Sequence, residues 1–297
     1  MRHKIENEYI AVEAITKGAE AKSMVMKETG QEYLWPGDEE NWGRSTPLLF
    51  PIVGRMHEKH FKHKGEKYFL KYHGFARESI YDVQSIEPNK IVFTLTDTPE
   101  RLEVYPFKFL LEVIYELPQG EKCLQVTWRV HNKSDEEMYF SIGGHPGFLF
   151  PHGDMEGCKI AYLDKKGKVL ENLQSIVSLV ISADGLLAGE TVEIPMENGI
   201  MPAVENTEKY DTILVNEKEI GGLGLCDREG NIVAKVLSDA PYWGIWREHT
   251  PGSQFLCYEP WFGVCGEVGF CGEIKDKLAI ERIPVGGCWE NGFKIEL

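Results

Sequence analysis

The chain reads as all-β: one large, mostly antiparallel domain of sandwich or barrel type spanning residues 1–297. Three observations predict this. The clearest periodic signal is the alternation of half-buried strands. No long segment sustains helical periodicity, and strands do not alternate with helices, which disfavours a parallel α/β fold. Thirty glycines and fifteen prolines punctuate the chain at short intervals, with no linker-like tract and no repeat of fixed period to divide it.

The elements follow in order. Ile91–Leu95 is a short strand candidate. "LLEVIYEL" runs through the turn-like "PQGEK" into "CLQVTWRVHNKS", a hairpin. In its second arm Leu124, Val126, Trp128 and Val130 alternate with Gln125, Thr127, Arg129 and His131, the period of a strand with one buried face. "SIGGHPGFLFP", from Ser141 to Pro151, reads as a strand end turning sharply, because the Gly143-Gly144 pair frees the backbone and Pro146 fixes φ. Ile213–Val215, Asn231–Val236, Tyr242–Trp246, Phe255–Tyr258 and Phe293–Leu297 complete the strand set, separated by turn clusters such as "HGDMEG", "DREGN" and "PVGGCWENG".

Composition narrows the function. The chain has 47 acidic and 32 basic residues, a net charge of −15. That charge argues against nucleic acid or an anionic membrane surface as partner and weakens the case for a phosphorylated substrate. No apolar run approaches the roughly 18 residues of a membrane helix, and "MRHKIENEYI" shows no apolar core of a signal peptide. Seven scattered cysteines (123, 158, 226, 257, 265, 271 and 288) form no C-x-x-C pair. The expectation is a cytoplasmic protein with reduced thiols. No G-x-S-x-G, P-loop or dinucleotide fingerprint is present.

Four stretches carry candidate chemistry. "LLFPIVGRM" ends an apolar run at Gly54-Arg55, where a lone arginine is most simply a solvated strand end. "YHGFAR" places His73 in a turn, a position usual for a surface histidine. "GGHPGF" holds His145. In "FLCYEPWFG", Glu259 interrupts an apolar and aromatic run; a carboxylate buried there needs a charged partner, a changed pKa or a task, unless it points outward from an edge strand. "HEKHFKH" spaces His57, His60 and His63 at intervals of three, but four neighbouring lysines and no adjacent Cys or carboxylate cluster make it a solvated hairpin.

In order and content, "FPIVGR", "HGFAR", "GGHPGF", "YDTILV" and "EPWFG" resemble the aldose 1-epimerase (galactose mutarotase-like) family, in particular its LacX-like branch. The resemblance runs from Phe50 to Gly263. It implies the family's large antiparallel supersandwich and the interconversion of α and β anomers of a free aldose by acid/base ring opening and closing. It implies Glu259 as the general base on the anomeric hydroxyl and His145 as the acid on the ring oxygen. His73 is implied as the second histidine, with Arg55 and Asp211 binding sugar hydroxyls. No cofactor or metal is implied; the partner is a small sugar. On the chemistry of the roles, Glu259 is expected to titrate high and His145 near neutrality. Trp246, Trp261, Phe148 and Phe75 are candidate faces for a sugar ring, though any single one of them is more simply a core residue. After His145 the mutarotase Pro-Tyr-Phe is replaced by Pro-Gly-Phe, which opens the question of sugar specificity. The alternatives are a hexose-6-phosphate 1-epimerase, with Arg77, Arg55 and Lys71 as phosphate contacts, and a sugar-binding protein without turnover.

Overall fold

The computed structural model describes residues 1–250 and 253–297. Two large sheets dominate it, and every strand pair within them is antiparallel. The first has nine strands in the order Ile200–Pro202, Lys159–Leu163, Gly222–Cys226, Ile232–Leu237, Cys288–Glu296, Cys123–Asn132, Phe109–Glu116, Lys90–Thr96 and Asp82–Glu87. The second has eight. Its path is Leu187–Pro195, Ser175–Ile181, Ile213–Val215, Tyr242–Trp246, Phe255–Phe262, Ile142–Gly144 and Leu48–Leu49, with Gly147–Leu149 also pairing to Phe255–Phe262. A three-stranded sheet at the N-terminus (Arg2–Glu6, Ile10–Ile15, Glu20–Met26) and two short ribbons complete the strands. Among the described residues, the one helix of two turns is Ala203–Tyr210.

The alternation in Cys123–Asn132 survives in three dimensions: Leu124, Val126, Trp128 and Val130 are buried while the residues between them are half-exposed. Trp128 packs on Phe293 of its own sheet (5.5 Å between ring centroids) and edge-on against Phe262 of the other sheet (6.5 Å). The Tyr258 hydroxyl crosses between the sheets to donate to the Gly224 carbonyl at 3.1 Å. The main core is therefore the space between the two large sheets, filled by alternate residues of each.

That alternation places the site. Along Phe255–Phe262, Leu256, Tyr258 and Phe262 point into the inter-sheet core. Phe255, Cys257 and Trp261 belong to separate clusters on the opposite face. Glu259 falls on that second face. It lies at the centre of the sheet, which removes the reading in which it points outward from an edge.

Three expectations are corrected here. The strand expected over Phe255–Tyr258 continues through Pro260 to Phe262. Tyr258 donates its N–H to the Pro146 carbonyl (3.2 Å), so the same side of the strand is where Pro260 lacks a donor. The neighbouring chain breaks on that side, and the missing N–H leaves no ladder bond unmade. Correspondingly, Ser141–Pro151 is not a strand end that turns away. It is a strand interrupted for two residues, His145 and Pro146, with both halves paired to Phe255–Phe262. The ribbon His60–His63 with Glu66–Phe69 confirms a hairpin at "HEKHFKH", but it is not solvated: His60 and His63 are buried.

Candidate active site

Register brings the two strongest candidates together. Gly143 pairs with Trp261 on one side and Gly147 with Cys257 on the other, which brackets His145 opposite Glu259. The result is His145 Nε2 at 3.2 Å from Glu259 Oε2, both side chains almost fully buried. Gly143 and Gly147 share the histidine's face, and close approach explains both. A Cβ on Gly143 would sit 2.6 Å from Trp261 Cδ1, and one on Gly147 would meet the Trp42 and Phe255 rings at 3.0 and 3.2 Å. The glycines let aromatic rings close on either side of an imidazole that the chain break aims outward from the sheet. Replacing Gly143 by Ala is expected to destabilise the fold by about 1–3 kcal/mol through overpacking. Urea unfolding read by tryptophan fluorescence would check this; an unchanged midpoint would mean Trp261 is free to yield.

Burial sets the protonation of the pair. It holds the Glu259 carboxyl well above the ordinary carboxylate range, opposed in part by the neighbouring Trp261 indole N–H. It pushes His145 down to about 3, helped by the positive charges of Arg77 and Arg44. The expectation for Glu259 agrees; the near-neutral His145 does not, because its environment is drier and more positive than the motif alone reveals. Both groups favour their uncharged forms, so the pair carries one proton, on the carboxyl. Glu259 Oε2 and His145 Nδ1 are buried without a hydrogen-bond partner.

His73 stands beside them, its ring perpendicular to that of His145 at 5.9 Å. It sits in a turn at φ 61°, buried rather than on the surface. Its Nδ1 accepts the Gly54 N–H at 3.0 Å, which fixes the proton on Nε2. Burial and the positive charges of Arg77, Arg44 and Arg55 hold its pKa well below 6.5. His73 is a neutral, directed donor.

Arg55 is exposed but not free. Its guanidinium lies 4.9 Å from the centre of the Tyr72 ring, and that ring is 3.8 Å from His73. Glu259, His145, His73 and Arg55 thus form one contiguous group. Asp211 caps the helix Ala203–Tyr210 at φ 56°, is exposed, and pairs with His249 at 3.2 Å, a partner not foreseen from the sequence.

The aromatic surroundings also differ from expectation. Trp246 lies 5.5 Å from His145 and Trp261 shares the face of Glu259. Phe148 belongs to the core, and Phe75 packs there against Phe50 and Phe109. The residue that sequence reasoning missed is Trp42, 5.1 Å from His145 and stacked on Phe255 at 4.9 Å. It reaches the site from a loop with no strand periodicity to flag it. Tyr72 was also missed. Its hydroxyl is pushed up to about 12, chiefly by partial desolvation among its neighbours, so it stays protonated and able to donate.

A protonated carboxyl and a neutral imidazole 3.2 Å apart among aromatic walls are equipped to exchange protons with a bound hydroxylated ring. Comparison with known proteins points the same way. The family model described as "Aldose 1-epimerase" matches residues 1–274. The LacX protein (plasmid form) of Lactococcus lactis subsp. lactis is 26% identical over 291 residues, 95% of each chain. A galactose mutarotase related enzyme from Lactobacillus acidophilus superposes with a TM-score of 0.90 at 30% identity, covering all of this chain and 97% of the other. A galactose mutarotase-like protein from Lactobacillus casei gives 0.89 at 25% identity, covering 100% and 99%.

Proposed function

Because the chain belongs to the aldose 1-epimerase family, we propose that it interconverts the α and β anomers of a free aldose, acting as a single domain in the cytoplasm. The observation that carries the reading is the contact of Glu259 with His145 at 3.2 Å, both buried. Anomerisation opens a hemiacetal, rotates about C1–C2 and closes on the other face. Opening removes a proton from O1 and delivers one to the ring oxygen; closing reverses the two transfers. No electron or group is transferred, so the chemistry itself asks for an acid and a base only.

Between them the two side chains hold one proton, the number this cycle needs. For ring opening the proton resides on His145, leaving Glu259 as the carboxylate that takes the O1 proton. His145 then supplies the ring oxygen. Ring closure restores the starting state, so no net charge enters the buried pair at any step. His73, with its proton held on Nε2, donates toward the ring oxygen and orients the sugar. Arg55 and Tyr72 offer donors to hydroxyls, and Asp211 with His249 offers a polar rim. Trp42 and Trp246 give apolar faces for the C–H side of the ring.

A second reading has one observation in its favour. Arg77 Nε is buried without a partner, and the Arg77 and Arg44 charges reach both site histidines. A hexose 6-phosphate would answer that positive field. Polarimetry distinguishes the two: fresh α-D-glucose and α-D-galactose are followed with and without protein, and glucose 6-phosphate in a coupled assay. Acceleration of a free sugar is expected. Acceleration of the phosphorylated sugar alone would favour the second reading, and binding of sugars with no acceleration would make the protein a sugar binder.

A further inference from the structure

The histidine-rich hairpin takes no part in that chemistry, yet the fold gives it what the sequence around it lacked. Cys271, 213 residues along from Glu58, places its Sγ 3.9 Å from Glu58 Oε2. The ligating atoms of His57, Glu58 and Cys271 all lie within 4.8 Å of one another. We propose that these three side chains bind a zinc ion.

The donor set argues for zinc among the common cations. A thiolate, an imidazole and a carboxylate suit a borderline-soft ion and do not suit magnesium or calcium, which prefer oxygen throughout. Three protein ligands leave a fourth tetrahedral position for water. Bond lengths of about 2.3 Å to sulfur and about 2.0 Å to oxygen would put the two donor atoms about 3.5 Å apart. The observed 3.9 Å closes with a shift of a few tenths of an ångström.

The backbone is already arranged for it. Glu58 and Lys59 are consecutive non-glycine residues in the left-handed region, at φ 50° and 60°, a conformation that persists only where surroundings impose it. The two segments are tied on both flanks: Gly266 N–H donates to the Arg55 carbonyl, Lys62 N–H to the Gly272 carbonyl, and the Glu273 carboxylate accepts from Lys64 and Gly65 N–H. Fully buried His60 packs beside the segment, its Nδ1 3.4 Å from the Glu58 backbone carbonyl. Three of the four lysines that argued against a metal have other surroundings. Lys64 pairs with Glu136 at 2.9 Å, and Lys59 and Lys67 are exposed to solvent. His57 lies two residues from Arg55, so an ion here would brace the segment that carries that arginine.

The test does not depend on the sugar reading. Chelator-treated protein is titrated with zinc by calorimetry, and with cobalt while absorbance is followed. One equivalent is expected, with a thiolate-to-cobalt charge-transfer band in the near ultraviolet. Outer-shell partners alone are worth about 10- to 100-fold in metal affinity, so Cys271→Ser should weaken zinc by at least about 100-fold and abolish the band. Glu58→Gln should also weaken binding. Circular dichroism checks that both variants are folded. Cys288, exposed beside His131 at 3.9 Å, is the control, and Cys288→Ser should bind as the parent does. No stoichiometric uptake, unchanged affinity in Cys271→Ser, or loss in Cys288→Ser instead would overturn the proposal.

Discussion

Replacing Glu259 by Gln is expected to lower kcat by about 10²–10⁴-fold while making the protein more stable at neutral and alkaline pH. The loss follows from removing the carboxyl in contact with His145; the amide keeps the volume and cannot accept the O1 proton. The gain in stability follows from burial. The folded carboxyl has its pKa well above 4.5, so above that value the unfolded chain releases a proton that the folded chain retains. The folded state then binds more protons, and stability falls as pH rises through this window. Gln carries no such dependence. The thermal midpoint of Glu259→Gln relative to the parent should therefore rise between pH 5 and pH 8. A difference independent of pH would show that the folded site does not raise the Glu259 carboxyl above its unfolded value. Near-normal turnover would remove Glu259 from its proposed role. A site residue that reduces stability in this way fits the general conflict between function and folding.

Glu259 was legible for the same physical reason that makes it destabilising. A carboxyl amid Phe255, Leu256, Cys257, Tyr258, Trp261 and Phe262 is anomalous on either face of a strand. The strands were legible because period-two patterning reports local geometry, as in Cys123–Asn132. Features made by chain crossings were not. Trp42 meets His145 and Phe255 across more than 100 residues of sequence, and Glu58 meets Cys271 across 213. The break at His145-Pro146 was misread as a turn because the glycines there accommodate tertiary neighbours, Trp261 and Trp42, rather than a reversal of the chain. The protonation of His145 was misjudged for a related reason. Its motif says nothing of the depth of the site or of Arg44 and Arg77, which arrive from other segments.

That last point yields the second large effect. His145→Asn is expected to lower kcat by about 10²–10⁴-fold, and the parent protein's pH profile should look unlike that of an ordinary histidine acid. A free imidazole titrates near 6.5; His145 is held down to about 3. The free-enzyme profile of kcat/KM should therefore be flat through pH 6.5, with its acidic limb far lower, where the pair takes up a second proton. An inflection near pH 6.5 that disappears in the variant would mean the imidazole titrates normally. Stability offers an independent reading. Between about 3 and 6.5 the unfolded chain binds a proton at this position that the folded chain does not, so the parent loses stability as pH falls through that range. His145→Asn should lose less over the same interval. The double variant carries the argument furthest. Because the two groups share one proton and act as a unit, removing both should reduce kcat little more than removing either. Multiplicative losses would mean that Glu259 and His145 contribute separately and that the single-proton cycle is wrong.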